Sequence, residues 1–206
     1  MEDREPEEPQ STDTEFDDQS EIIEISAPQP PELHLEAYVK HTLPPRPRWA
    51  ELRNETLSVL LEMIGSVAQV EGPVHQNVVI DRIRESYHSL GSVRGSTRAK
   101  VTHAIERAQT TNVEGDGTFV WSDATQLQGK PRSPVDGNID HIPPGEVEQV
   151  VLGVVIALSG APLAALITET ARTLGFTRTG GRIAEVLTAI IQGLLDKGQL
   201  VESFGM

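Results

Sequence analysis

Two stretches of the chain, LGSVRGSTRAK at Leu90–Lys100 and LGFTRTGGRIAEV at Leu174–Val186, are nearly the same phrase. Each ends an apolar segment with Leu-Gly, sets Arg beside Gly and Ser or Thr, and opens a further apolar-periodic segment. Self-similarity at a fixed period constrains a fold more than any single motif, because each copy must build the same supersecondary unit. A chain of 206 residues can hold one ordinary domain or two small ones. The repeat selects two.

The elements around each phrase follow one order. In the first copy, Leu57, Leu60, Leu61, Ile64 and Val67 share one helical face, and EGPV at Glu71–Val74 stops that helix. A second helix points Val79, Ile80, Ile83, Tyr87 and Leu90 inward and is expected to end on a left-handed Gly91. A third, capped by Ser96 or Thr97, points Val101, Ala104, Ile105 and Ala108 inward. NVEGDGTFVW at Asn112–Trp121 reads as two short strands about a GDG turn, with Trp121 plugging the base of the hairpin. Three helices and a hairpin make a winged helix-turn-helix.

In the second copy the helical faces are Val147, Val150, Val151, Val154, Val155 and Leu158, then Leu163 through Leu174 closed by Gly175, then Ile183 through Leu195. SGAP at Ser159–Pro162 parallels EGPV. GQLVES at Gly198–Ser203 supplies one strand with no return strand after it, so this wing is expected to be truncated unless a partner completes it. Leu90, Gly91 and Arg94 match Leu174, Gly175 and Arg178 at an offset of 84, whereas Val101, Ala104 and Ile105 match Val186, Ala189 and Ile190 at 85. A residue is gained or lost in the turn, which leaves the equivalence of Arg98 and Arg182 open.

The expected fold is therefore mainly α (α+β): two tandem winged helix-turn-helix-like repeats behind an acidic tail. Residues 1–36, with 13 acids against Arg4 alone, are expected to be disordered. Residues 37–49 form a Pro-rich lead-in, 50–123 the first repeat, 124–144 a linker and 145–206 the second repeat. SEIIEI at Ser20–Ile25 is either an incidental apolar patch or a short motif that adds a strand to a partner's sheet edge.

Net charge is −14, but the tail carries −12 of it, so the remaining 170 residues together stand at −2. An acidic total thus gives no argument against binding nucleic acid. The absence of cysteine excludes disulfides and thiolate chemistry and fits a reducing compartment. No export signal is visible at the acidic N-terminus, and the expected location is cytoplasmic. Val150–Ile167 holds 18 residues without a charge, but SGAP interrupts it and no basic anchors flank it, which argues against a membrane span.

EAYVKHTLP (Glu36–Pro44), EGPVH (Glu71–His75), GTFVW (Gly117–Trp121), HIPPGEVEQVV (His141–Val151) and LGFTRTGGRIAEVL (Leu174–Leu187) occur in this order. Together they resemble a domain of unknown function found at the C-terminus of large bacterial superfamily-one helicase proteins. Those proteins often also carry a nuclease-like domain related to very-short-patch repair endonucleases. The resemblance covers residues 36–202 and implies an accessory module of a DNA-processing or defence helicase. It transfers no catalytic residue. Helicase motifs are absent here, so the expected state is a separate subunit or a piece of a parent chain.

In a helix-turn-helix the N-terminal part of the third helix approaches bases and phosphates. Arg94, Ser96, Thr97, Arg98, Lys100 and Arg107 suit that role in the first copy, and Arg178 and Arg182 are the candidates in the second. Arg46, Arg48, Trp49 and Trp121 could add phosphate and stacking contacts. The outward face of the second copy's third helix also bears Glu185, Gln192 and Asp196 and is not basic.

No enzyme signature survives inspection. QGKP at Gln128–Pro131 lacks the glycine loop and the Ser or Thr of a phosphate-binding loop. The six histidines are scattered, with His75 expected to cap or pack. The expected function is a non-catalytic module that binds DNA weakly and in a salt-dependent manner, partnered by a helicase or nuclease subunit or its own parent chain. No cofactor, metal or small-molecule substrate is expected. The alternative is a protein-interaction module, with tandem winged helices docked on a partner as in kleisin-associated subunits.

Overall fold

The computed structural model describes residues 21–25, 34–88, 91–111 and 113–204. The first repeat runs α1 (Leu57–Glu71), β2 (Val74–His75), α2 (Gln76–Glu85), α3 (Gly95–Thr111), β3 (Glu114–Gly115) and β4 (Phe119–Trp121). The second runs α4 (Pro144–Leu158), β5 (Ala161–Pro162), α5 (Leu163–Thr173), α6 (Gly181–Asp196) and β6 (Leu200–Phe204). Preceding both is β1 (Glu21–Ile25). Thr56 caps α1 with its side chain accepting from Val59 N, and EGPV ends the helix at Glu71. His75 caps α2, its Nδ1 accepting from Asn77 N at 3.1 Å, as its position after Pro73 leads one to expect.

Each repeat has its own core. Leu52, Leu60, Ile64, Val67, Val79, Ile83, Val101, Ile105 and Val120 lie in the first, while Val147, Val150, Val151, Leu166, Leu174, Leu187, Ile191 and Leu194 lie in the second. Burying each such side chain contributes about 1.5–3 kcal/mol. The buried positions put the two copies in a clearer register than the sequence phrases do. Leu60, Ile64 and Val67 correspond to Val147, Val151 and Val154 at an offset of 87, and Tyr87 corresponds to Leu174. Val101, Ile105 and Ala108 then correspond to Leu187, Ile191 and Leu194 at 86. The expected offsets of 84 and 85 are thereby corrected. Arg98 answers to Ala184, and Arg182 is not its counterpart.

Both sheets have three strands. The first has the order β2-β4-β3, and the second β5-β1-β6. The strand that completes the second wing comes from the N-terminal segment, antiparallel to both neighbours: Ile23 pairs with Ala161 on one side and Glu202 on the other. In the first repeat Val120 pairs in the same way with Val74 and Gly115. At the offset of 87, Ala161 answers to Val74, and β6 follows its third helix as β3 does, so β1 takes the place of β4 between them. Two expectations fail here together. The second wing is not truncated, and the tail expected to be disordered over residues 1–36 forms a strand at Glu21–Ile25. Residues 1–20 and 26–33 of that tail lie outside the described residues.

Three smaller expectations also change. α2 ends at Glu85 with Ser86 as its C-cap, so Gly91 is no cap, and its φ is not positive. Gly175, by contrast, follows α5 with φ +86° and does close its helix. α3 begins at Gly95, which puts Ser96 and Thr97 in its first turn and not at the N-cap. Trp121 is half-buried and donates through Nε1 to Glu114 at 3.1 Å. It lies against the wing and plugs no core.

The lead-in and the linker are built into the structure. Leu43 is buried in the first core, and Ile139 and Ile142 in the second. Arg132 donates to the Glu71 and Pro73 carbonyls at 2.7 and 2.8 Å and, through Nε, to Glu146 at 3.0 Å. It thereby joins the end of α1 to the start of α4. Among the described residues no helix is long and apolar enough to cross a membrane. The uncharged stretch 150–167 is divided between α4 and α5 by β5.

Candidate nucleic-acid interface

The helix-turn-helix of the first repeat is α2 followed by α3, and the basic residues expected of it gather at the start of α3. Arg94 precedes the helix, and Gly95 opens it with φ +56°, a conformation glycine adopts without steric cost. Arg94, Ser96, Arg98 and Arg107 are exposed, and Thr97 and Lys100 are half-buried. Among the described residues none of these cations meets a carboxylate. Arg98 donates to the Asn77 side-chain oxygen at 2.5 Å, and Lys100 to the Arg53 carbonyl at 2.8 Å. Among the described residues Arg94 and Arg107 have no carboxylate partner within ion-pair distance. Gly95, Arg98, Ala99, Thr102, His103 and Glu106 line a shallow concavity along the exposed face of α3, where Glu106 is the acid, 3.5 Å from His103.

Beside the first turn of α3 lies a cleft of about 350 Å³ lined by Arg48, Ala50, Glu51, Leu52, Arg53, Tyr87, His88 and Thr97. Trp49 stands at this side of the molecule with 84% of its surface exposed, available for stacking. The lead-in arginines divide by partner. Arg46 donates to Glu55 through Nε and Nη2 at 3.2 and 2.9 Å, a hydrogen bond that holds its pKa above the usual value. Glu55 also accepts from Tyr87 at 2.9 Å. Arg53 pairs with Glu51 at 2.9 Å. Arg48 meets no carboxylate among the described residues. Arg46 is therefore engaged in holding the lead-in to the fold, while Arg48 and Trp49 remain presented.

The second copy is arranged differently. Arg182 is exposed on the first turn of α6, but it donates to Asp140 through Nη2 at 2.6 Å and Nε at 3.1 Å, and to Glu185 at 3.4 Å. The Arg182 hydrogen bonds hold the Asp140 carboxyl below its usual range. Arg178 is exposed in the preceding turn. The charge of Arg182 is thus already answered, and the two copies are not equivalent as cationic surfaces.

A polar junction that sequence inspection does not anticipate lies between the two helix-turn-helix units. His75 and His141 stack with ring centroids 4.4 Å apart, although 66 positions separate them. His141 Nδ1 is 2.6 Å from Asp136, and its Nε2 is 3.5 Å from Asn77 Nδ2. Asn77 holds Arg98 of α3, and Asp140 next to His141 holds Arg182 of α6. Contacts therefore run from one third helix to the other through the linker. Burial, and next the neighbouring His141 charge, push the His75 pKa down to about 4, so the stack is uncharged on the His75 side at neutral pH. The sequence signal was faint: both histidines border the Pro-bearing phrases EGPVH and HIPPG, with nothing to pair them.

A family model described as "Protein of unknown function (DUF3320)" matches residues 51–87. The match runs from the turn before α1 through α2 to Tyr87. No curated protein and no solved structure matches the chain.

Proposed function

We propose that this chain is a non-catalytic nucleic-acid-binding module that contacts duplex phosphates mainly through its first repeat. The observation that carries this reading is the contrast between copies: among the described residues Arg94, Arg98, Lys100 and Arg107 have no carboxylate partner, whereas Arg182 is bound by Asp140 and Glu185. Uncompensated cations about the N-terminus of a recognition helix attract phosphate through charge and through the helix's free N–H groups. Ser96 and Thr97 in the first turn add hydroxyl donors, and Arg48 and Trp49 extend the surface. Arg178 is a peripheral contact in this reading. The likeness of the chain to helicase-associated domains supports an accessory role beside a helicase or nuclease, which would supply the chemistry.

The test is anisotropy of a short fluorescent duplex with the full chain at two salt concentrations. Binding should be weak, and log K should fall with log salt by about 0.9 per phosphate neutralised. Arg94→Ala/Arg98→Ala/Lys100→Ala should abolish most of it and flatten the salt slope. Equal affinity of that variant and the native chain would overturn the assignment.

A second reading, docking on a protein partner, is favoured by one observation. Ile156, Leu158 and Leu163 are 39–42% exposed around the α4–α5 junction. Their counterparts at the offset of 87 are Gln69, Glu71 and Gln76, of which Glu71 is covered by the lead-in. The second repeat has an open apolar patch where the first has polar residues, with Glu71 buried among them. Leu158→Glu should weaken association with a helicase or nuclease partner under this reading and leave duplex binding unchanged.

A further inference from the structure

The second wing is closed by a strand from the opposite end of the sequence. β1 lies between β5 and β6 and pairs with both. Its five residues are in continuous antiparallel register with β6, from Glu21 opposite Phe204 to Ile25 opposite Leu200. The corresponding strand of the first repeat, β4, follows β3 directly through a short turn. The second repeat thus contains a slot whose geometry is that of a wing strand, but the strand is not part of its own continuous sequence.

We propose that this slot is a strand-exchange site, filled in the closed monomer by the chain's own Glu21–Ile25 and filled in a dimer by the same strand of a second copy. Four observations support it. Recognition of β1 is written in backbone pairing on both sides, which an identical strand satisfies equally well. Removing β1 uncovers two strand edges at once, and unpaired edges seek another chain. Eight residues with Pro28, Pro30 and Pro31 join Ile25 to His34. Just beyond that joint the chain is fastened to the linker, with Glu36 N donating to the Pro131 carbonyl at 2.9 Å and Ser133 N to the Glu36 carbonyl at 2.9 Å. A short connection, eight residues in sequence, between a fastened body and a strand seated in another sheet is the arrangement in which identical elements exchange between protomers. The short tether gives the closed form a high effective concentration of strand. The dimer therefore forms when chains refold together at high concentration, not on simple mixing of dilute folded protein.

The chain has no cysteine, which permits an unambiguous test. Glu24 and Val201 are opposite each other across β1 and β6. Chains carrying Glu24→Cys are mixed with chains carrying Val201→Cys, co-refolded from urea at high concentration, and oxidised or treated with a short bismaleimide. A covalent heterodimer on a non-reducing gel, several-fold above a Val39→Cys plus Val201→Cys control, is the expected result. Ile23→Pro in the Glu24→Cys chain should remove it, because proline is not tolerated in a central strand. The doubly substituted Glu24→Cys/Val201→Cys chain should close on itself when refolded dilute. Closure of that chain without any heterodimer would overturn exchange and leave β1 strictly intramolecular. Failure of both would overturn the slot itself.

Discussion

Arg82 donates to Glu71 through Nε at 2.7 Å and through Nη2 at 3.0 Å, with both side chains buried. Glu71 also accepts from His41 N at 2.8 Å and from the Tyr38 hydroxyl, so one carboxylate at the end of α1 gathers α2 and the lead-in. Burial alone would lower the Arg82 pKa, but the hydrogen bonds and charge of Glu71 outweigh it and hold it raised. Burial, then the same carboxylate, raises that of Tyr38.

Removing one member of this pair leaves the other charge buried without its partner. Arg82→Met is expected to cost about 3–5 kcal/mol of stability, whereas Glu71→Gln, which keeps an acceptor for Tyr38 and His41, should cost less. Urea unfolding measures both. A loss below about 1 kcal/mol for Arg82→Met would mean the pair is solvated and contributes little, as exposed pairs do.

His75 gives a pH dependence with a defined sign. Its folded pKa is pushed down to about 4 from an unfolded value near 6.5. The unfolded chain therefore binds the extra proton first. The stability that His75 contributes is full above about pH 6.5 and is lost as pH falls toward 4, at no more than about 1.4 kcal/mol per pH unit. His75→Asn retains an N-cap acceptor for Asn77 but does not titrate. Denaturant midpoints between pH 7 and 5 should therefore slope less in the variant than in the native chain. Parallel slopes would exclude His75 as the titrating group.

The helices were legible in the sequence because each has an apolar face of period 3.6, and α1, α4 and α5 also stop near a Gly. Leu60, Ile64, Val67 and the row from Val147 to Val155 are buried as that pattern implies. The repeat was legible for the same reason. Its register was not, since Leu-Gly-Ser and Leu-Gly-Phe match as letters while burial aligns Tyr87 with Leu174. The origin of the missing wing strand was also hidden. EIIEI carries the alternation of a strand but sits in an acidic segment 136 positions before β5, and strand pairing over such a distance leaves no local mark. The basic residues at α3 were found by composition. That Arg182 is neutralised could not be, because Asp140 lies in another segment.

Gly91 and Gly175 look equivalent in the two phrases but differ in backbone. Gly175 has φ +86°, where a Cβ is strained although no atom is within 4 Å of it. Gly175→Ala should therefore destabilise by about 1 kcal/mol or more. Gly91 has no positive φ and open space around a Cβ, so Gly91→Ala should be neutral or slightly stabilising through the unfolded chain. Thermal midpoints of the two variants decide the matter, and equal losses would restore Gly91 as a cap.

Asp140 offers the sharpest test of why the two copies differ. Its carboxylate takes Arg182 at 2.6 Å, and Arg182 otherwise occupies the position on α6 from which a recognition helix meets phosphate. If charge compensation is what silences the second copy, Asp140→Ala should release that guanidinium and remove one negative charge from the same surface. Duplex affinity at low salt should rise several-fold, with a steeper salt dependence from the added phosphate contact. Arg182→Ala alone should change affinity by less than about twofold, since its charge is already answered in the native chain. In the Asp140→Ala background the same substitution should return affinity to the native level. The double-mutant cycle isolates the released cation from any general change in the fold. Should Asp140→Ala leave affinity unchanged, charge compensation by Asp140 is not what distinguishes the two copies, and the contrast between them no longer supports the proposed duplex contact.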